Sequence, residues 1–482
     1  MPHKPSFYWH DYETFGADPS RDRPSQFAGV RTDAELNEIG EPLMLHCRPP
    51  ADYLPHPEAC LVTGITPQQA RAHGLAEPEF IARINAEFSV PGTCGVGYNS
   101  IRFDDEVTRH TLYRNFFDPY EREWRNGNSR WDLIDVMRMA RALRPEGLQW
   151  PDREDGRPSF RLEDLTRANG IEHGAAHDAL ADVRATLALA RKLRAAQPKL
   201  FEYALKARDK GWVKQQLNVV EHKPLLHISS RFPAENGAMA LVVPLAIHPT
   251  QPNKIIACNL LLDPDPLLRL DAAQLREYLY TPTAELPAGI GRIPLKEIHV
   301  NRSPMLAPAT MLTPEIEARY GIDRARCAAH LERLQAAAGL KQKLRELYAA
   351  QAEREPDDPE FALYAGFLSD HDRRLGARVR ELAPEALARE RLAFEDARLP
   401  ELLFRYRARN FPATLSSEER ARWAEHCAAR LHGEPLRGMH NCASLRQRIA
   451  ELRLERAGDA RALAILEALQ AYAGELCGQL SG

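Results

Sequence analysis

Asp11 and Glu13 stand two apart in Phe7-Tyr8-Trp9-His10-Asp11-Tyr12-Glu13-Thr14-Phe15. Asp104 opens the run Asp104-Asp105-Glu106, and Asp182 follows His177 in His177-Asp178-Ala179-Leu180-Ala181-Asp182. Each of these acids lies at the end of an apolar segment or on a helical one, where a fold can gather them. Gathered carboxylates with no cation between them repel and stay partly protonated, so their natural partner is a hard divalent metal such as Mg²⁺. The chemistry that needs such a site is phosphoryl transfer.

Each motif also has an ordinary reading. An Asp-x-Glu pair after a strand is common among surface acids and caps, although period-two geometry puts Asp11 and Glu13 on one strand face, where a metal could bridge them. Three acids at the start of a helix suit its dipole without any catalysis, which leaves Asp104 ambiguous beside Asp105 and Glu106. His177 and Asp182 would be about 500° apart around an ideal helix, so His177 belongs in the turn before it. From there a neutral imidazole could take a proton from an attacking water. The alternative is a histidine at the helix start with Asp178 and Asp182 solvated.

The elements that must position these groups are legible as runs. Residues 6–13, 25–31, 43–48 and 93–98 are short apolar or β-branched stretches bounded by Gly, Pro and Asn, and they predict strands. Apolar residues three or four apart predict helices over 104–117, 130–142, 161–169 and 178–195, with 148–159 an exposed loop. From about 198 to 352, runs such as 225–228, 241–245 and 255–257 alternate with Pro-containing turns and predict a small β-rich domain, decorated by helices over 272–280 and 315–347. Beyond 353, Ala, Leu, Arg and Glu at helical spacing predict an antiparallel helical domain.

At 482 residues the chain suits about three domains. No stretch approaches the roughly 18 continuous apolar residues of a membrane helix, and the start lacks a signal-peptide core, so a cytoplasmic protein is expected. The eight cysteines form no C-x-x-C pair and no zinc spacing, which predicts reduced, mostly buried thiols. A net charge of −3 excludes a chain that coats nucleic acid by bulk charge, while 64 Lys and Arg leave room for a local basic track. Tyr113, Phe116, Phe117, Tyr120, Trp124, Arg130, Trp131 and Arg138 offer the mixture of aromatics and cations that grips a single strand, with Phe116 and Trp131 equally readable as core.

The order Asp-x-Glu, Asp, His-x4-Asp resembles the DEDDh exonucleases of the ribonuclease H-like superfamily. Longer stretches resemble bacterial exonuclease I, a family of exodeoxyribonucleases that degrade single-stranded DNA from its 3′ end. They include His10 to Gly16, Arg21 to Ala28, Thr63 to Pro67, Arg102 to Glu106, Ser129 to Asp132, Ser159 to Glu163 and Leu402 to Pro412. The resemblance covers nearly the whole chain.

It implies an α/β ribonuclease H-like exonuclease domain over 1–197, an SH3-like β domain with helical insertions over 198–352 and an all-α C-terminal domain over 353–482, in a C-shaped clamp. It implies metal ligation by Asp11, Glu13, Asp104 and Asp182, two Mg²⁺ ions with Mn²⁺ as a substitute, and His177 as general base. Substrate contacts are implied for Glu13, Arg109, Tyr120, Trp124, Arg138 and Arg161, and for Lys210, Asn253 and Lys296 in the β domain. The implied partner is the acidic, hydrophobic C-terminal tail of single-stranded DNA-binding protein, with Arg144 and Tyr203 at its docking surface, although Arg144 could equally cap its own helix. A monomer acting in DNA repair and recombination is implied as well.

Two rival readings remain. An RNA exonuclease or proofreading subunit would use the same chemistry, but such relatives are usually single exonuclease domains. A clamp that binds single strands without cutting would have lost a metal ligand, and none is lost.

Overall fold

A computed structural model of the chain describes residues 4–174, 178–349 and 358–478. The chain forms two compact units, one from Met1–Ser129, His173–Arg184 and Arg354–Gly482, the other from Arg130–Glu172 and Ala185–Glu353.

The first unit is built on β1 (Ser6–Thr14), β2 (Pro24–Thr32), β3 (Leu43–His46) and β4 (Thr93–Gly97), neighbours in the order β3-β2-β1-β4, and its first segment ends at Ser129, where the strand β5 (Ser129–Asp132) begins. β1 pairs antiparallel with β2, placing Glu13 opposite Gln26, and parallel with β4, placing Trp9 opposite Val96. The parallel pairing brings the carboxyl ends of β1 and β4 to the same edge, where α/β sheets characteristically carry their sites. Tyr8 and Tyr12 on one face of β1 join Phe27, Phe80, Phe88 and Leu112 in a core, so the helices Glu77–Phe88 and Asp104–Arg114 cover that face. Trp9, Asp11 and Glu13 alternate with these residues and take the other face.

A second core in this unit joins Phe15, Tyr53 and Cys60 to Leu445, Ile449, Leu466 and Tyr472, from the helices Cys442–Glu455 and Ala460–Gly478. Buried ion pairs reinforce the association: Glu360 accepts from Arg23 at 2.5 Å and from Arg409 at 2.6 Å, and Arg409 also donates to Asp52 at 2.6 Å.

The second unit contains an antiparallel sheet of β6 (Leu225–Ile228), β7 (Met239–Ile247), β8 (Lys254–Asn259), β9 (Leu295–His299) and β10 (Met305–Pro308), ordered β10-β6-β7-β8-β9. Its register shifts beside Pro244, where a proline lacking an N–H is tolerated. The helices Leu133–Leu143, Leu162–Ala168, Pro198–Leu205 and Lys210–Gln216 belong to this unit. Among the described residues no helix is long and apolar enough to cross a membrane.

Several expectations need correction. The helix expected over 130–142 starts at Leu133, because Ser129–Asp132 is β5 and Asp132 caps the helix by accepting from the Ile134 amide at 3.2 Å. Residues 198–216, expected within a β-rich texture, are helical. The helix expected over 315–347 is three, Pro314–Tyr320, Arg324–Ala336 and Leu340–Ala349, broken at Gly321 and Gly339, both in left-handed conformations suited to glycine. The thiols are not all reduced: Cys442 and Cys477, on adjacent helices, form a disulfide, while the other six cysteines form none and are buried.

Candidate active site

Asp11 and Glu13 reach the site because β1 alternates its side chains. Asp104 reaches it through the turn after β4. At Gly97 a Cβ would lie 2.9 Å from the His10 carbonyl oxygen and 2.6 Å from Ser100 Cβ, so only glycine lets this turn pack against β1. Asn99 takes a left-handed conformation, and the chain then enters the helix Asp104–Arg114. Asp104 Oδ1 accepts from the Tyr12 amide at 2.9 Å, between the two acids of the strand.

Asp182 is delivered by the helix Ala179–Ala196. The Ala179 amide donates to Gln26 Oε1 at 3.1 Å, and Gln26 is the residue opposite Glu13, so the first turn of this helix is fixed beside the acids. Asp178 Oδ1 caps the turn by accepting from the Ala181 amide at 3.1 Å.

Ligand oxygens of Asp11, Glu13 and Asp182 all lie within 4.8 Å of one another. The electrostatic consequence is strong. Burial, then the charges of Asp104, Glu13, Asp182 and Asp178, raise the Asp11 carboxyl well above the usual range. Glu13 is pushed up to about 9 by burial, then by Asp182, Asp104 and Asp178. Two carboxyls held above their ordinary range by burial and by the acids around them mark a site short of positive charge. Oxygen-only donors at this spacing suit a hard divalent cation.

His177 lies outside the described residues. His173, to which sequence reasoning assigned nothing, places Nε2 2.5 Å from Asp182 Oδ1. Its only trace in the sequence is a second histidine four positions before His177. Asp178 was equally overlooked as a contributor to the field, although its place three residues before Ala181 marks a helix cap.

The residues expected near substrate fall into distinct environments. In the first unit Arg109 is buried, donating to both Glu123 oxygens at 2.7 and 2.8 Å, to Glu106 at 2.9 Å and to the Tyr364 hydroxyl at 3.0 Å. Its guanidinium also lies 5.4 Å from the centre of the Tyr120 ring. Trp124 is 65% exposed, and Phe367, 83% exposed, packs edge-on against Tyr120 at 5.6 Å. Tyr364 and Phe367 were missed because they are 240 residues further along the chain from Tyr120 and Trp124, and no local pattern links them. Tyr113 and Phe116 are buried against the helix Leu399–Asn410 and are core.

In the second unit Trp131 is buried, donating to the Ala204 carbonyl at 3.1 Å and packing on Phe201, so it too is core. Arg130 is buried and donates to the Asn301 carbonyl at 3.0 Å. Arg138 pairs with Asp135 at 2.6 Å and lies over the Phe160 ring. Arg161 is exposed at the start of the helix Leu162–Ala168, and Lys210 is exposed at the start of Lys210–Gln216. Asn253 and Lys296 are half-buried, Lys296 with its ammonium 5.5 Å from the Phe232 ring centre. Arg144 terminates the helix Leu133–Leu143 and donates to the Leu143 carbonyl at 2.6 Å, the capping contact that its position allows. Tyr203 is half-buried, edge-on to Trp212 at 5.5 Å.

Three carboxylates within 4.8 Å of one another, with Asp104 bonded to the strand between two of them, are a site of the kind metal-dependent nucleases carry, and residues 8–190 match the family model for Exonuclease. Residues 208–350 match the Exonuclease I SH3-like domain and 357–476 the Exonuclease I C-terminal domain. The chain belongs to the exonuclease I family. Exodeoxyribonuclease I of Escherichia coli K12 is 47% identical over 472 residues, 98% of each chain. That of Haemophilus influenzae is 49% identical over 423 residues, 87% of this chain and 89% of the relative. Among solved structures, exonuclease I from Methylocaldum szegediense superposes with a TM-score of 0.94 at 53% identity, covering 98% of this chain and 99% of that one. The zinc ion bound form of the E. coli exonuclease I complex with single-stranded DNA gives 0.94 at 46%, covering 98% and 100%. An exonuclease I complex with SSB-Ct gives 0.92 at 46%, again covering 98% and 100%.

Proposed function

We propose that this chain is a 3′ to 5′ exodeoxyribonuclease that shortens single-stranded DNA to nucleoside 5′-monophosphates in DNA repair and recombination. The observation that carries the reading is the convergence of Asp11, Glu13 and Asp182 oxygens within 4.8 Å, with Asp104 tied to the strand between the first two.

The donor set fits Mg²⁺: all oxygen, mostly buried, and too negative to ionise fully without a cation. Asp11, Glu13, Asp104 and Asp182 would hold the ions, two per site, with Mn²⁺ as a substitute. Bound there, the ions supply the charge that activates an attacking water and stabilises the departing 3′-oxygen. The chain's own groups do the rest. His177 takes the proton from the attacking water, and Glu13 borders the terminal nucleotide. Trp124, Phe367 and Tyr120 stack bases, Arg109 fixes the Tyr120 ring, and Arg138, Arg161, Lys210, Asn253 and Lys296 meet the phosphate backbone.

The domain division 1–197, 198–352 and 353–482 follows the same reading, as does a cytoplasmic location. Arg144 and Tyr203 dock the C-terminal tail of single-stranded DNA-binding protein, an arginine meeting its carboxylates and an aromatic ring its apolar side chains. The test of the reading is 5′-labelled single-stranded DNA, its duplex and matched RNA, each incubated with Mg²⁺ or EDTA. A ladder shrinking from the 3′ end for unpaired DNA alone, and only with metal, is the expected result; equal cleavage of RNA would overturn the substrate assignment.

A further inference from the structure

A second group of metal-ligating side chains lies in the first unit and uses none of the residues above. His56 precedes the helix Pro57–Thr63, Glu58 lies in its first turn, and His440 precedes the helix Cys442–Glu455. One imidazole nitrogen from each histidine and one Glu58 oxygen lie within 4.8 Å of one another, and the two rings are 4.6 Å apart. Residues distant in sequence thus bring two soft-to-borderline donors and one carboxylate together.

We propose that His56, Glu58 and His440 form a binding site for a borderline divalent ion of the Zn²⁺ type, chemically unlike the all-oxygen cluster. Two imidazoles and a carboxylate are a recurrent zinc donor set, whereas Mg²⁺ strongly prefers oxygen. Donors around a tetrahedral Zn²⁺ stand roughly 3.4 Å apart, so side-chain movements of little more than about an ångström close the set.

The surroundings are those of such a site. His56 Nε2 stands 3.4 Å from Asp22 Oδ1, and Asp22 is buried and accepts from the Tyr53 hydroxyl at 2.7 Å, so a fixed carboxylate lies beside the ring. Glu58 accepts from Arg448 Nε at 2.6 Å through Oε1, and His440 Nδ1 faces Ser444 Oγ at 3.3 Å. His440 also lines a cavity of about 400 Å³ with Asp52, His426 and Glu434, a route by which a hydrated ion reaches it. An ion there joins the segment after β3 to the C-terminal helices of the same unit.

The test is a Zn²⁺ titration of the chelator-treated full chain against a chromophoric chelator, in excess Mg²⁺ to occupy the carboxylate cluster. The wild type should bind one Zn²⁺ equivalent that Mg²⁺ does not displace, and Asp182→Ala should keep it. His440→Ala and Glu58→Gln should each weaken that binding by at least about tenfold. Co²⁺ in place of Zn²⁺ should give visible d–d absorption that His440→Ala abolishes. Unchanged Zn²⁺ affinity in both folded variants, or no Mg²⁺-resistant equivalent in the wild type, would overturn the site.

Discussion

Asp104 is bonded to the backbone of Tyr12, the residue between Asp11 and Glu13, through a 2.9 Å hydrogen bond from the Tyr12 amide to Asp104 Oδ1. The carboxylate is therefore both a candidate ligand and a pin between the helix Asp104–Arg114 and β1. Asparagine keeps an oxygen for the pin but loses the charge; alanine loses both. Asp104→Asn should lower kcat by at least about a hundredfold with Tm unchanged. Asp104→Ala should lose activity and also about 1–3 kcal/mol of stability, the cost of an orphaned buried amide, measured by denaturant unfolding.

The 2.5 Å contact of His173 with Asp182 fixes the carboxylate that faces the site. Groups that orient a metal-binding carboxylate commonly contribute about 10–100-fold in metal affinity. His173→Ala should raise the Mg²⁺ concentration giving half-maximal cleavage by that factor while Tm barely moves. A shift to lower Mg²⁺ would mean that the histidine competes with the ion.

Acid should strike first at the buried ion network of the first unit. Burial alone would raise the Glu77 carboxyl, but Arg114 and Arg23 outweigh it and bring it down to about 2 from an ordinary 4.5. The unfolded chain then binds more protons than the folded one between those values, so Glu77's contribution is complete above about pH 4.5 and is lost as pH falls toward 2. Tm measured across that window should fall steeply. Glu360→Gln should remove part of the slope and cost about 3–5 kcal/mol, since it leaves Arg23 and Arg409 underpaired in the interior.

Trp124 and Phe367 leave most of their rings open to solvent. A base stacked on an aromatic side chain is worth about 1–3 kcal/mol, so Trp124→Ala or Phe367→Ala should weaken binding of a labelled oligonucleotide about fivefold or more in fluorescence anisotropy. The effect should appear in KM for single-stranded DNA and leave kcat near the wild-type value. A loss confined to kcat would place these rings at the chemistry instead.

Much of the architecture could be read from the chain because periodicity is a local property. Alternation in Phe7 to Glu13 placed two acids on one strand face, and the helices at 104, 162 and 179 begin within a residue of where spacing predicts. What escaped was set by tertiary context. β5 hides in Ser129–Asp132 because a four-residue strand leading straight into an amphipathic helix has no period of its own. The half-exposed Lys296 and Glu297 mask β9, and Pro308 masks β10. The disulfide joins residues 35 apart with no spacing signature. In the site, the acids were legible by type, whereas Arg109, which the resemblance implied as a substrate contact, is committed to Glu106 and Glu123, a fact that only the fold supplies. The contacts of His173 and Asp178 were illegible for the same reason.

The central claim is that carboxylates from β1, from the helix after β4 and from the helix Ala179–Ala196 act jointly on metal. Turnover of 5′-labelled single-stranded DNA by Asp182→Ala in saturating Mg²⁺ tests it most directly. The account predicts a folded protein with wild-type helicity and no shortened products; a ladder from this variant at a rate near the wild type would contradict it.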